Sequence, residues 1–167
     1  GAIVAVLRVD MTNSDRAVAC ILHAAEHLVA KGITSLRRLG LFAGTSSATA
    51  CAIALNQRPD LFGAAVLQDG LYDLMRIKYM NKPRQWYPKS DKNGQEPQGS
   101  WLSEFGDAEA SKRSCLSILG RSPLHNIRAY WVRDDELCYP AILLQATDTS
   151  PVNNAHSFKF AAQLQRI

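Results

Sequence analysis

The stretch from Leu39 to Leu55 limits what this chain can fold into more than any other. Leu39 to Ala43 has the short, nearly continuous apolar pattern of a buried strand. It runs into a tight polar turn over Gly44 to Thr49, and a helix of very small side chains is predicted over Ala48 to Leu55. Small side chains let a helix lie close against a sheet, so a strand, a sharp turn and a closely packed helix are expected in that order.

The rest of the chain repeats the alternation. Ala2 to Val9, rich in β-branched residues, reads as a strand. Ser14 and Asp15 offer N-caps to a helix carrying Val18, Ile21, Leu22, Ala25 and Leu28 on one side, and Gly32 supplies its C-cap. Ala64 to Leu67 reads as a third strand, Leu71 to Met80 as a helix, and 81–100, polar and rich in proline and glycine, as a surface insertion. Ala108 to Leu119 reads as helical, Arg128 to Tyr139 as irregular, Ala141 to Ala146 as a fourth strand and Asn154 to Gln165 as a last helix. Strands alternating with helices imply one α/β domain over 1–167, its four strands forming a mostly parallel sheet with helices on both faces. Sites in such sheets lie at the carboxyl ends of the strands, here near Gly44, Gln68 and Thr147.

Composition narrows the function classes. With 167 residues, 47% hydrophobic and 20% charged, the chain can bury a sizeable core, which excludes disorder as its resting state. The net charge of +4 is spread in ones and twos, as at Arg37-Arg38 and Lys112-Arg113, and not in the clustered stripe that nucleic acid requires. Cys20, Cys51, Cys115 and Cys138 stand far apart and read as reduced, mostly buried thiols. His23 and His27, one helical turn apart, have no third ligand nearby and read as solvated helix positions, so no metal is expected. No apolar run reaches the ~18 residues of a membrane span, and no leader pattern is visible at the start. These features imply a cytoplasmic protein that does not engage membranes.

Gly44-Thr45-Ser46-Ser47-Ala48 has the context of a nucleophile elbow, a turn so sharp that the residues flanking its nucleophile must be small. The amide after the nucleophile then faces the developing oxyanion. Polar turns before helices also occur without any catalytic role.

Further segments carry a resemblance. Asn56-Gln57-Arg58-Pro59-Asp60-Leu61-Phe62-Gly63, Ser122-Pro123-Leu124-His125-Asn126, Ala24-Ala25-Glu26-His27-Leu28, Tyr139-Pro140 and His156-Ser157-Phe158-Lys159-Phe160 resemble, in order, segments of the catalytic domain of the prolyl oligopeptidase family of serine peptidases. The resemblance implies a partial α/β-hydrolase fold and hydrolysis of proline-containing peptides without a cofactor.

Transferred by position, the resemblance places the family's nucleophilic serine at Thr45, the oxyanion-hole amide at Ser46, and its following glycines at Ser47 and Ala48. The family's aspartate falls on Thr149, with Asp148 one residue earlier, and its substrate-binding arginine on Pro151. His125 and His156 match segments outside the triad. Trp101-Leu102-Ser103-Glu104-Phe105 resembles the segment with an aromatic platform for the substrate proline, which puts Trp101 and Phe105 at stacking positions; core packing beside the insertion is the other reading. The family's glycine-rich stretch after the first strand, its amino-terminal β-propeller and the segment bearing its histidine find no counterpart here. The resemblance therefore implies a divergent, truncated peptidase domain that is inactive in this form, a pseudoenzyme. Two alternatives stay open: an active hydrolase using Ser46 with a histidine from outside this chain, and a non-catalytic binding or assembly module on the same scaffold. A peptide substrate follows only from activity, whereas a protein partner or self-association follows from a sheet edge or face left uncovered.

Overall fold

Side-chain caps set where the helices begin. In the computed structural model, which describes residues 3–11, 13–80, 101–128, 132–133, 136–137 and 139–166, α1 spans Ser14–Ala30. Its N-cap is Asn13, not Ser14 or Asp15: the Asn13 side chain accepts from the Arg16 amide at 3.0 Å, and Ser14 is turned inward to accept from Arg121. At the other end Gly32 takes the left-handed conformation, φ 68, with its amide on Val29 O. α2 spans Thr45–Gln57, α3 Trp101–Phe105, α4 Lys112–Arg121 and α5 Ala155–Leu164. α4 starts later than the expected Ala108 because Ser111 caps it and the Asp107 carboxylate accepts from the Glu109 amide, holding a turn ahead of it.

Three strands, β1 (Leu39–Gly44), β2 (Phe62–Gln68) and β5 (Ala141–Gln145), form one parallel sheet in the order β1-β2-β5. A separate two-residue ladder, β3 (Val132–Arg133) with β4 (Glu136–Leu137), is antiparallel and lies where irregular chain was expected. Ala2 to Val9 does not supply the fourth strand. Its described residues, 3–9, have no regular structure, and Ile3, Val4 and Val6 are 79–84% exposed. β-branched residues favour a pleated surface but give no strand without a partner edge; here the chain turns inward only at Val9 and Met11, which pack on the core ahead of α1.

One face of the sheet, with Leu41, Ala43, Ala65, Leu67, Ile142 and Leu144, joins a core shared with α1, α2 and Phe160 of α5. α2 is buried from Ala48 to Asn56, as its small side chains allow, and burial pushes the Cys51 thiol up to about 12. Cys20, by contrast, is exposed and Cys115 half-buried, and Cys138 lies outside the described residues. Phe42, Val66 and Leu143, in register across the three strands, occupy the opposite face. Phe42 is 74% and Leu143 62% exposed. Helices were expected on both faces; among the described residues they bury one.

The helix expected over Leu71 to Met80 is instead irregular chain leading into a single 3₁₀ turn, Leu74–Arg76, followed by a turn over 77–79. Three amides of its first half are taken by side chains from elsewhere: Leu71 N–H by Thr49 Oγ1, Asp73 N–H by His156 Nδ1 and Leu74 N–H by Ser122 Oγ. Those bonds replace the i to i−4 ladder that a helix needs. This segment, with Phe105, Ile118 and Val152, forms a second apolar cluster, on which Trp101 packs. The predicted insertion, 81–100, lies outside the described residues.

Candidate active site

Because the sheet is parallel, Gly44, Gln68 and Gln145 end their strands on one edge. The turn after Gly44 is shorter than the polar run from Gly44 to Thr49 implies. There is no polar loop through Thr49, since α2 begins at Thr45. Thr45 has φ 52, and Asp69, the residue after β2, has φ 49. Left-handed backbone is unusual away from glycine and most unfavourable for a β-branched residue, costing about 1–2 kcal/mol. Such strain persists where surrounding contacts over-determine it. Around Thr45 they do: Thr49 Oγ1 donates to Thr45 O at 3.4 Å while accepting from the Leu71 amide, and β1 pairs with β2 up to Gly44.

Asp69 joins two strand ends. Its amide donates to Gln145 O at 2.8 Å, and its carboxylate accepts from the Thr147 amide and hydroxyl at 2.8 and 3.0 Å. The turn after β5 is thereby held at the same edge as the elbow, two strand spacings away, or about 10 Å.

Ser46 is partly accessible and donates from Oγ to Glu104 Oε2 at 2.8 Å. Burial raises the Glu104 pKa, and the bond from Ser46 opposes that rise. The other oxygen, Oε1, is buried without a hydrogen-bond partner among the described residues. The N-cap of α2 is Gly44, which offers no side-chain bond, so the first-turn amides of α2 are not side-chain capped at the edge where Ser46 stands.

The other sequence-derived residues are placed as follows. Thr149 and Asp148 are exposed in the turn after β5, and Asp148 accepts from Asn154, just ahead of α5. Pro151 is half-buried in that turn. Phe105 is 1% exposed, inside the second cluster, and Trp101 packs against it only half-buried. The core reading thus fits Phe105 better than a stacking surface does. Glu104 is what sequence reasoning missed. It lies 58 residues from Ser46, and its only local signal is a position one helical turn after Trp101.

No imidazole among the described residues hydrogen-bonds to Thr45 or Ser46. His125 Nδ1 shares a 2.8 Å bond with Ser122 Oγ, and burial lowers its pKa. His156, fully buried, accepts at Nδ1 from the Asp73 amide at 3.1 Å, and burial pulls its pKa down to about 4. His23 and His27 are exposed on α1. Among the described residues no group of His, Cys, Asp and Glu is arranged to hold a metal ion, and no helix is long and apolar enough to cross a membrane.

Known proteins are similar to this chain in sequence and in fold. A prolyl endopeptidase of Elizabethkingia miricola is 29% identical over 143 residues, covering 85% of this chain and 17% of the relative. Prolyl oligopeptidase A of Amanita bisporigera is 30% identical over 143 residues, covering 85% of this chain and 16% of the relative. Among solved structures, one from a mechanistic study of two prolyl endopeptidases superposes with a TM-score of 0.73 at 29% identity, over 93% of this chain and 20% of that one. Apo prolyl oligopeptidase B from Galerina marginata gives 0.69 at 25% identity, over 89% and 18%. The chain thus spans about a fifth or less of the length of these proteins, within their α/β-hydrolase portion. Residues 8–166 match the profile of the prolyl oligopeptidase family, and the chain belongs to that family.

Proposed function

We propose that this chain is the hydrolase portion of a prolyl oligopeptidase-type peptidase in which the family's catalytic triad is incomplete, so that these residues alone do not cleave proline-containing peptides. The observation that carries the reading is Thr45 at φ 52, the first residue of α2 after the carboxyl end of β1. That is the place for an elbow nucleophile, and a threonine there is hindered by its own methyl. Acyl transfer by a hydroxyl also needs a base within hydrogen-bond reach. None of the imidazoles described supplies one to Thr45, and Thr149 offers no carboxylate to orient one. In the test, a chromogenic proline peptide is incubated with the folded wild-type chain and with Thr45→Ser. Neither releases chromophore above buffer, and turnover by the wild type sinks the reading.

A second reading, an assembly module on the same scaffold, is favoured by the apolar sheet face that no described helix covers. Burying a side chain such as Phe42 or Leu143 contributes roughly 1.5–3 kcal/mol, enough for several such residues to hold two copies together. The wild-type chain is expected to sediment as an oligomer, and the double variant Phe42→Lys, Leu143→Lys as a monomer. A wild type that remains monomeric at its solubility limit contradicts self-association.

A further inference from the structure

The elbow carries a second hydroxyl, and unlike Thr45 it has a base. Ser46 Oγ–H points at Glu104 Oε2, 2.8 Å away, and both residues are partly accessible. We propose that Ser46 and Glu104 form a hydroxyl–carboxylate dyad that accepts acyl groups from activated esters, in particular small aryl esters. The inference does not depend on Thr45 or on the family's triad.

The geometry supplies each role. Glu104 already accepts the Ser46 proton's hydrogen bond, so proton transfer needs no rearrangement. Its second oxygen, buried and unpartnered among the described residues, receives no stabilising donor. A half-desolvated carboxylate is a stronger base than one in water, and burial shifts this one in that direction. The amides of Ser46 and Ser47 lie in the first turn of α2, where no intrahelical acceptor reaches them and the Gly44 cap adds none. They are suited to a developing oxyanion.

The step balances as follows. Ser46 Oγ bonds to the ester carbonyl carbon as its proton passes to Glu104. The tetrahedral oxyanion collapses, the bond from carbon to the aryl oxygen breaks, and the aryl oxide leaves with the proton from Glu104. Water, deprotonated by Glu104, then attacks the acyl-serine; the carboxylic acid departs and Ser46 regains its proton. Aryl esters fit because their leaving group needs little acid assistance, whereas an amine leaving from a peptide needs a good deal.

The experiment uses p-nitrophenyl acetate with the unmodified chain, followed by peptide mapping of the acetylated protein. The expected result is a burst of nitrophenolate and an acetyl group on the peptide containing Ser46. Glu104→Gln, folded by circular dichroism, is expected to slow the burst by about tenfold or more, in line with the loss of a positioned base. Acetylation confined to lysines or other serines, no reaction at all, or a Glu104→Gln burst as fast as wild type would each overturn the dyad. Mapping on the wild-type chain decides the site even if Glu104→Gln does not fold. Peptide hydrolysis is a separate readout, so failure of the dyad is distinguishable from failure of the inactive-triad reading.

Discussion

Gly63→Ala is expected to destabilise the fold severely. A Cβ at Gly63 would stand 1.8 Å from the Arg37 carbonyl oxygen and 2.7 Å from its carbon, both of them backbone atoms that no rotamer change can move. The register of β1 on β2 shifts beside it, since Leu39 pairs with Phe62 but Gly40 pairs with Ala64, leaving Gly63 as the extra residue. Arg37 is itself held at φ 62. Making room means separating the amino ends of the two strands on which the elbow depends. The loss should exceed about 4 kcal/mol, a large share of the 5–15 kcal/mol that typically holds a domain together. Gly120→Ala in α4 is the control: nothing lies within 4 Å of its Cβ, and a helical alanine should gain about 0.5–1 kcal/mol. Urea unfolding followed by circular dichroism separates the two, and a Gly63→Ala midpoint equal to wild type would contradict the close approach.

Mild acid should weaken the fold through His156. Burial holds this imidazole neutral, with a pKa pulled down to about 4, while in the unfolded chain it titrates near ~6.5. Between those values the unfolded state binds the extra proton, so stability falls as pH is lowered through that window. At about 1.4 kcal/mol per pH unit the loss approaches roughly 3 kcal/mol by pH ~4. Protonation also removes the Nδ1 acceptor from the Asp73 amide. Asp73 acts lower down: burial works to raise its pKa, but Lys159, His125 and Arg76 outweigh it and the net shift is downward, so its contribution fades only below the ordinary carboxylate range. His156→Asn keeps an acceptor for the amide and removes the titration. Unfolding midpoints measured from pH 7 to pH 4 should fall steeply for wild type and much less for the variant; equal slopes would contradict this.

The strands at 39–44, 62–68 and 141–145 were legible because each is a short apolar run between turns, α1 because its apolar residues recur on one side, and α2 because its side chains are small enough to be buried all round. Ala2 to Val9 shows the limit of that logic, since strand propensity does not supply a partner edge. Leu71 to Met80 shows another limit: its pattern is helical, yet Thr49, His156 and Ser122 take its amides from 22, 83 and 48 residues away. The Gly44 turn could be read from residue sizes. Glu104 could not be read in the same way, because only the docking of α3 brings its carboxylate to Ser46.

The central claim, that the elbow of this chain does not support the family's peptide hydrolysis, is tested most directly by restoring its nucleophile. The Thr45→Ser variant, shown to be folded by a cooperative unfolding transition, would be incubated with a chromogenic proline peptide beside the wild type and a buffer blank. A serine at 45 still lacks an imidazole and a carboxylate at 149, so release of chromophore is predicted to match the blank for both proteins. Turnover by Thr45→Ser would contradict the account, because a base would then have to reach residue 45 from within this chain.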